Sequence, residues 1–412
     1  MVDDQSIAVV DAVKQQSLLS PQVKAFVGLG LAHAMVDCYG GIWAMFKTLA
    51  GLDLAWAGFV ASVVIFIASS MQPIFGLYAD HGHRRRLLLV GVGLTCTGML
   101  LGPVSMFAPF MHHWSGYLVM FVILLMMQFG VAMFHPPAVT LAGQTMARRR
   151  STVVALFIAC GMVGLACSHL LFSSVYLSFN RHTELLLLPA AVVVMLVWLW
   201  CRTPQRHQPG PLGLRQMLLG ITSLSPRLLP LWLIQVMVSA NFAGLIFLMP
   251  EFVKARGYSA WWVNGGAFFI FIAGSALMMV PVGYLADRYG RRRILTICLL
   301  LGTPAYFLLV ATHDLPGYAF VTLILLAGGL LGSAGPVGIS LGQHLVVDRQ
   351  SLITGMLMGL AWAVSSPTRW ITGSLAKREE LGPDGALTWL GVTLVVSILL
   401  SLFVPASLKD SS

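Results

Sequence analysis

Gly76 to Leu88 reads GLYADHGHRRRLL, and Gly283 to Leu295 reads GYLADRYGRRRIL. The two stretches stand 207 residues apart in a chain of 412. Gly76 and Gly283, Asp80 and Asp287, and the triplets Arg84–Arg86 and Arg291–Arg293 fall in the same slots. Each copy follows one long apolar run and precedes another. A repeat at half the chain length, with charge confined to a short loop, predicts a duplicated helical membrane bundle.

Composition points the same way. Hydrophobic residues make up 58% of the chain and charged residues 10%, where a soluble domain carries about 25% charged residues. Lipid must be the main solvent. The first 22 residues are polar and of mixed charge, as a cytosolic tail would be, and show no short apolar core with a cleavage site. The six cysteines lie in or beside apolar runs and form no CxxC pair, so neither a zinc site nor a disulfide framework is expected.

Twelve stretches are long and apolar enough to span a bilayer, which takes about 20 residues each. They include Val23–Lys47, Leu228–Met249 and Ser351–Leu375. The expected layout is a tail over 1–22, six helices over 23–201, a cytosolic loop over 202–227, six helices over 228–404 and a tail over 405–412. With both termini in the cytoplasm, 18 of the 25 Lys and Arg fall on the inside and six on the outside, while Arg369 falls within a span. That asymmetry is the positive-inside pattern. It explains the formal net charge of +10 without nucleic acid. A second repeat, Leu141-Ala-Gly-Gln144 against Ser340-Leu-Gly-Gln343, supports the duplication.

The loop motif G-x-x-x-D-x-x-x-R-R after spans two and eight resembles that of the major facilitator superfamily. The resemblance covers the whole chain and implies an all-α integral membrane fold: twelve transmembrane helices in two pseudo-symmetric six-helix bundles. The second copy matches fully; the first has His83 where the motif has Gly, so a different turn is expected there. A narrower resemblance is to the fosmidomycin-resistance-like exporters, carried by Leu31-Ala-His33-Ala-Met-Val-Asp37 and Phe134-His135-Pro136. Pro137 stands where those relatives carry Glu, and Gly161 and Gly164 stand without the proline of many antiporters.

The resemblance implies a secondary transporter of a bacterial inner membrane working by alternating access, with protons, lipid and a small molecule as its partners and no cofactor. Export is the expected direction, with proton-coupled import as the alternative and a non-transporting receptor or scaffold as a lesser one. No Walker-type phosphate loop is present, so ATP is not the direct energy source. Gly332-Ser333-Ala-Gly335 lacks the spacing of a serine-nucleophile motif, and no enzyme activity is expected. The protein is expected to be a monomer.

His33 and Asp37 lie one helical turn apart on the same face. A charged Asp at the centre of a bilayer costs roughly 2.5–3.5 kcal/mol, so the pair is a candidate for proton or substrate coupling. The plainer reading is a static hydrogen-bonded pair. His135, before two prolines, is a substrate-binding candidate, as are Gln235, Asn241 and Arg369. For Arg369, facing the cavity and reaching out to headgroups stand equal. Gly76, Asp80, Arg84, Gly283, Asp287 and Arg291 are the candidates for conformational gating, the two acids acting as latches between the halves. No metal site is expected.

Overall fold

The computed structural model describes residues 20–107, 113–145, 150–201, 228–313, 316–345, 353 and 356–405. Among them every regular element is helical. That is the solution lipid demands, because a helix satisfies its own backbone donors and acceptors where no water can. Among the described residues, eleven helices are long and apolar enough to cross a membrane. Six lie before residue 202: Pro21–Leu49, Leu54–Gly76, Arg84–Val104, Trp114–Ala142, Leu156–Ser178 and Thr183–Trp200. Five lie after residue 227: Leu229–Ala255, Trp262–Tyr289, Arg291–Ala311, Gly317–Leu345 and Gly382–Ser401.

The eleventh expected span, Ser351–Leu375, is not one continuous helix. It is a π-helical turn at Met356–Leu360, a short helix at Ala361–Ser365 and a second helix at Thr368–Ala376. Pro367 explains the break, since its ring removes a backbone donor and crowds the preceding turn. The first span also bends, between Pro21–Gly40 and Trp43–Leu49. The seventh helix runs on past the expected Met249 to Ala255 and so includes Glu251.

The two copies of the loop motif fold differently. In the second copy Gly290 takes φ 96° and separates the helices on either side. In the first, His83 occupies that slot at φ −88°, and the left-handed residue is its neighbour Gly82 at φ 92°. Glycine takes this conformation without the Cβ penalty, so the turn has moved back one residue to where the glycine is. A π-helical turn over Ala79–His83 results.

One feature of the motif is shared by both halves. The Arg85 guanidinium donates to the Trp198 carbonyl at 2.8 Å, and Arg292 donates to the Leu402 carbonyl at 3.0 Å. These arginines are 207 residues apart. Each pins its loop to the end of the last helix of its own half, where unsatisfied carbonyls favour a cation.

Candidate functional site

Asp37 lies between two histidines. Its Oδ2 is 3.2 Å from His33 Nε2, and its Oδ1 is 3.2 Å from His135 Nε2. Each ring is held from behind. His33 Nδ1 is 2.8 Å from the Phe157 carbonyl, and His135 Nδ1 is 2.7 Å from the Val131 carbonyl. His33 is stacked on Phe157 and meets His135 edge-on, with centroids 4.1 and 5.1 Å apart. His33 is buried, while the Asp37 and His135 side chains keep 19% and 29% exposure. The group is therefore ordered on its buried side and reachable on the other.

Three spans build this group. The first supplies His33 and Asp37 on one face. The fourth supplies His135 where Pro136 and Pro137 lie inside the helix. The fifth closes on the first through glycines. A methyl group at Gly161 would collide with the Asp37 carboxylate and the His33 ring, and one at Gly164 would collide with the Ala34 backbone. Gly161 and Gly164 thus bring the two helices together at the level of the acid.

A carbonyl can only accept, so each Nδ1 carries a proton and each Nε2 faces a carboxylate oxygen. A gap between a bare Nε2 and a carboxylate oxygen sets two lone pairs against each other, and one proton turns it into a hydrogen bond. With both gaps filled the group carries +1, with one filled it is neutral, and with none it carries −1. The same three residues are also a set that could hold a metal ion, their ligating atoms lying within 4.8 Å of one another. The imidazoles take different oxygens of Asp37, however. An ion would need the carboxylate to turn one oxygen toward a point that both rings face.

The sequence profile of the Major Facilitator Superfamily matches residues 25–355. The chain belongs to the Major Facilitator Superfamily. The uncharacterized MFS-type transporter YfnC of Bacillus subtilis is 22% identical over 96% of this chain and 97% of its own length. The fosmidomycin resistance protein of Escherichia coli is 19% identical over 86% of each. A variant of the nucleoside transporter NupG superimposes with a TM-score of 0.75 at 12% identity, covering 93% of this chain and 98% of that one. A bacterial homolog of the human lysosomal transporter Spinster gives 0.67 at 14% identity, covering 93% and 95%. These solved structures carry the fold, and the superfamily and its relatives place this chain among membrane transporters.

The other expected residues of this superfamily member fall in several settings. Gln235 is buried, and its amide donates to the Gly335 carbonyl at 3.2 Å, tying the seventh span to the tenth. Asn241 is buried, and its Nδ2 has no hydrogen-bond partner among the described residues. Arg369 is buried among helices, 9% exposed. Asp287 pairs with Arg291 at 2.7 Å within one half, and Arg291 also donates to Ser340 Oγ at 2.8 Å. Arg84 contacts Gln144 at 3.5 Å. Gly76 has Pro136 nearby, and Gly283 has open space around it. The Asp80 side chain lies outside the described residues.

One pair was missed. Lys47, the last residue of the expected first span, is fully buried in the structure. Its ammonium meets Glu251 Oε2 at 2.5 Å, and Thr48 Oγ1 donates to Glu251 Oε1 at 2.5 Å. Glu251 is thus a further acid within a span. The signal was available: Lys47 and Glu251 are 204 residues apart, close to the repeat offset, at matching ends of the first and seventh spans.

Proposed function

We propose that this protein is a proton-coupled secondary transporter that exports a small organic molecule by alternating access, with Asp37, His33 and His135 as its proton carrier. The observation that carries this reading is the carboxylate held between two imidazoles whose other nitrogens are fixed on backbone carbonyls. Such a group takes up or loses two protons without a side chain leaving its place. Its charge then swings by two in a setting where water screens little, enough to favour binding in one state and release in the other. Export draws support from the relative named as a resistance protein. The excess of arginine in loops of one side supports cytoplasmic termini. The end where the halves are tied together is then the outer one, and the molecule faces the cytoplasm.

The test is transport by the full chain in proteoliposomes under an imposed pH gradient. Asp37→Asn should insert and fold, because the amide fills the same volume, yet lose gradient-driven transport while retaining slow exchange down a substrate gradient. Full pH-driven activity in that variant would sink the proton role. His135→Gln removes one gap and should leave a transporter with fewer coupled protons and a shallower dependence on pH.

A further inference from the structure

The eleventh span holds a cation, Arg369, that forms no ion pair among the described residues. Arg369 is the second residue of the helix Thr368–Ala376, which restarts after the Pro367 break. It stands eight residues before Lys377, so about 12 Å in from that end of the bundle at 1.5 Å per residue. Arg369 is 9% exposed, and its Nη1 is shielded from solvent with no hydrogen-bond partner among the described residues. Its backbone sits on the seam between the halves: a methyl on Gly58 of the second span would strike the Arg369 carbonyl. Next to it, Ser62 of the second span donates to the Ser366 carbonyl and accepts from the Trp370 N–H.

No acid of the described spans is free to neutralise it. Asp37 is taken by two histidines, Glu251 by Lys47, Glu184 by His182, Asp384 by Arg256 and Asp287 by Arg291. What the guanidinium does have is an aromatic neighbour. Its Cζ lies 5.7 Å from the centre of the Trp362 ring, and Trp362 meets Phe242 of the seventh span edge-on. A cation–π contact offsets only part of the cost of a buried charge.

We propose that Arg369 and Trp362 form the subsite for the anionic group of the transported molecule, an organic carboxylate or phosphonate on an apolar or aromatic body. The guanidinium supplies a planar fork that matches two oxygens at once. The indole beside it supplies a flat apolar wall for what the anion is attached to. The missing counter-charge comes from outside the chain and is present only when cargo is. Because the subsite lies on the seam, an anion there touches the contact that must open when the halves rock. This assignment names the substrate class for the transporter proposed above and rests on that reading.

The test is binding to the purified full-length protein in detergent at constant ionic strength, read as the shift in thermal midpoint. The probes are phenylphosphonate and benzoate, with benzamide as the neutral control and inorganic phosphate as the arm without a body. An organic anion should raise the midpoint of the parent and benzamide should not. Arg369→Gln should be at least as stable as the parent in probe-free buffer, since it removes a stranded charge, and should bind the organic anion about tenfold more weakly or worse, as loss of a charged hydrogen bond implies. Arg369→Lys should recover part of the affinity. Trp362→Ala should weaken the organic anions and leave phosphate unchanged. The proposal is overturned if neither organic anion acts differently on parent and Arg369→Gln, or if Arg369→Gln is less stable than the parent in every buffer, which would make the residue structural. Asp37→Asn separates this from the coupling reading. Retained probe binding with lost pH-driven transport supports both, whereas full pH-driven transport in Asp37→Asn with binding lost in Arg369→Gln removes the coupling reading alone.

Discussion

The two ends of the molecule use charge in opposite ways. At the end away from the loop motif, polar contacts cross between the halves. Lys47 and Thr48 hold Glu251, Lys377 holds Asp53, and Ser173 donates to the Asn264 carbonyl. His169 lies flat against Phe268 across the same seam, centroids 3.9 Å apart. At the motif end, the bonds of Arg85, Asp287, Arg291 and Arg292 stay within one half. The difference assigns the conformation: the structure is the state tied shut at the far end. Among the described residues, these polar partners lie across the seam at the far end and within one half at the motif end.

Breaking the buried pair should change this picture most. Glu251→Gln leaves the Lys47 ammonium fully buried without its carboxylate, and losing one partner of a buried ion pair costs about 3–5 kcal/mol. The cost falls on the tied state, so the far end should open. Spin labels at the exposed positions Phe179 and Ser259, one in each half, should move apart. The exchanged double variant Lys47→Glu with Glu251→Lys should return much of the short distance. An unchanged distance in Glu251→Gln would mean that the pair does not hold the end closed.

A wedge should have the next largest effect. The second and eleventh spans touch backbone to backbone: a Cβ on Gly58 would strike the Arg369 carbonyl, and one on Gly373 would strike the Leu54 carbonyl. Gly58→Leu should therefore force the spans apart at a cost of roughly 1–3 kcal/mol to this state. Transport should fall while the protein still folds, because the opposite state separates these helices anyway. A matching loss of expression and thermal midpoint would show instead that the crossing is needed in every state.

The exposed pair at the same end is the milder case. Lys377→Gln should shift the label distance little, since exposed ion pairs contribute about 0–1 kcal/mol. Asp53→Asn should cost more than Lys377→Gln, because Asp53 also caps the second span by accepting from the Trp56 N–H at 3.0 Å. Burial pushes the Asp53 carboxyl up, but Lys377 and the Trp56 N–H outweigh it and hold the carboxyl below its ordinary value. The sign follows. A depressed carboxyl stabilises the tied state fully above its ordinary pKa and loses that contribution as pH falls through the lowered one. The difference in label distance between the parent and Asp53→Asn should stay constant from neutral pH down to about pH 4 and shrink only below it. A difference that shrinks already near neutral pH would mean that Asp53 is not the group behind it.

The contrast also marks what the sequence could show. Apolar run lengths, the 207-residue repeat and arginine-rich loops announced the helical bundle, because lipid leaves helices few alternatives. Spacing alone put His33 beside Asp37. It could not bring in His135 from the fourth span, which resemblance singled out and tertiary packing placed. Lys47 and Glu251 escaped because apolar counting stops at the first charge, whereas a helix continues through a charge that finds its partner on another span. Pro367 warned of the break in the eleventh span. Burial of Arg369 was undecidable, since reach to the headgroups depends on which face its helix turns inward.

The smallest effect in this state is expected from the motif itself. Asp287 is 69% exposed and pairs with Arg291 one turn away. Such a helical pair contributes about 0.2–0.5 kcal/mol, so Asp287→Asn should leave the thermal midpoint and the far-end distance almost unchanged. The opposite state is another matter. When the motif end closes, an acid at the end of the eighth span can meet the positive N-terminus of a helix from the other half. Asp287→Asn should then lower crosslinking between loops of the two halves, and do so only under conditions that favour closure there. Asp80, in the first copy, sits in a π-helical turn instead of before a left-handed glycine in the Gly290 slot. Asp80→Asn is therefore expected to fall short of the full Asp287→Asn loss. Equal losses would show that the displaced turn does not matter to the latch. No loss in either variant would reduce the motif acids to partners of their own arginines.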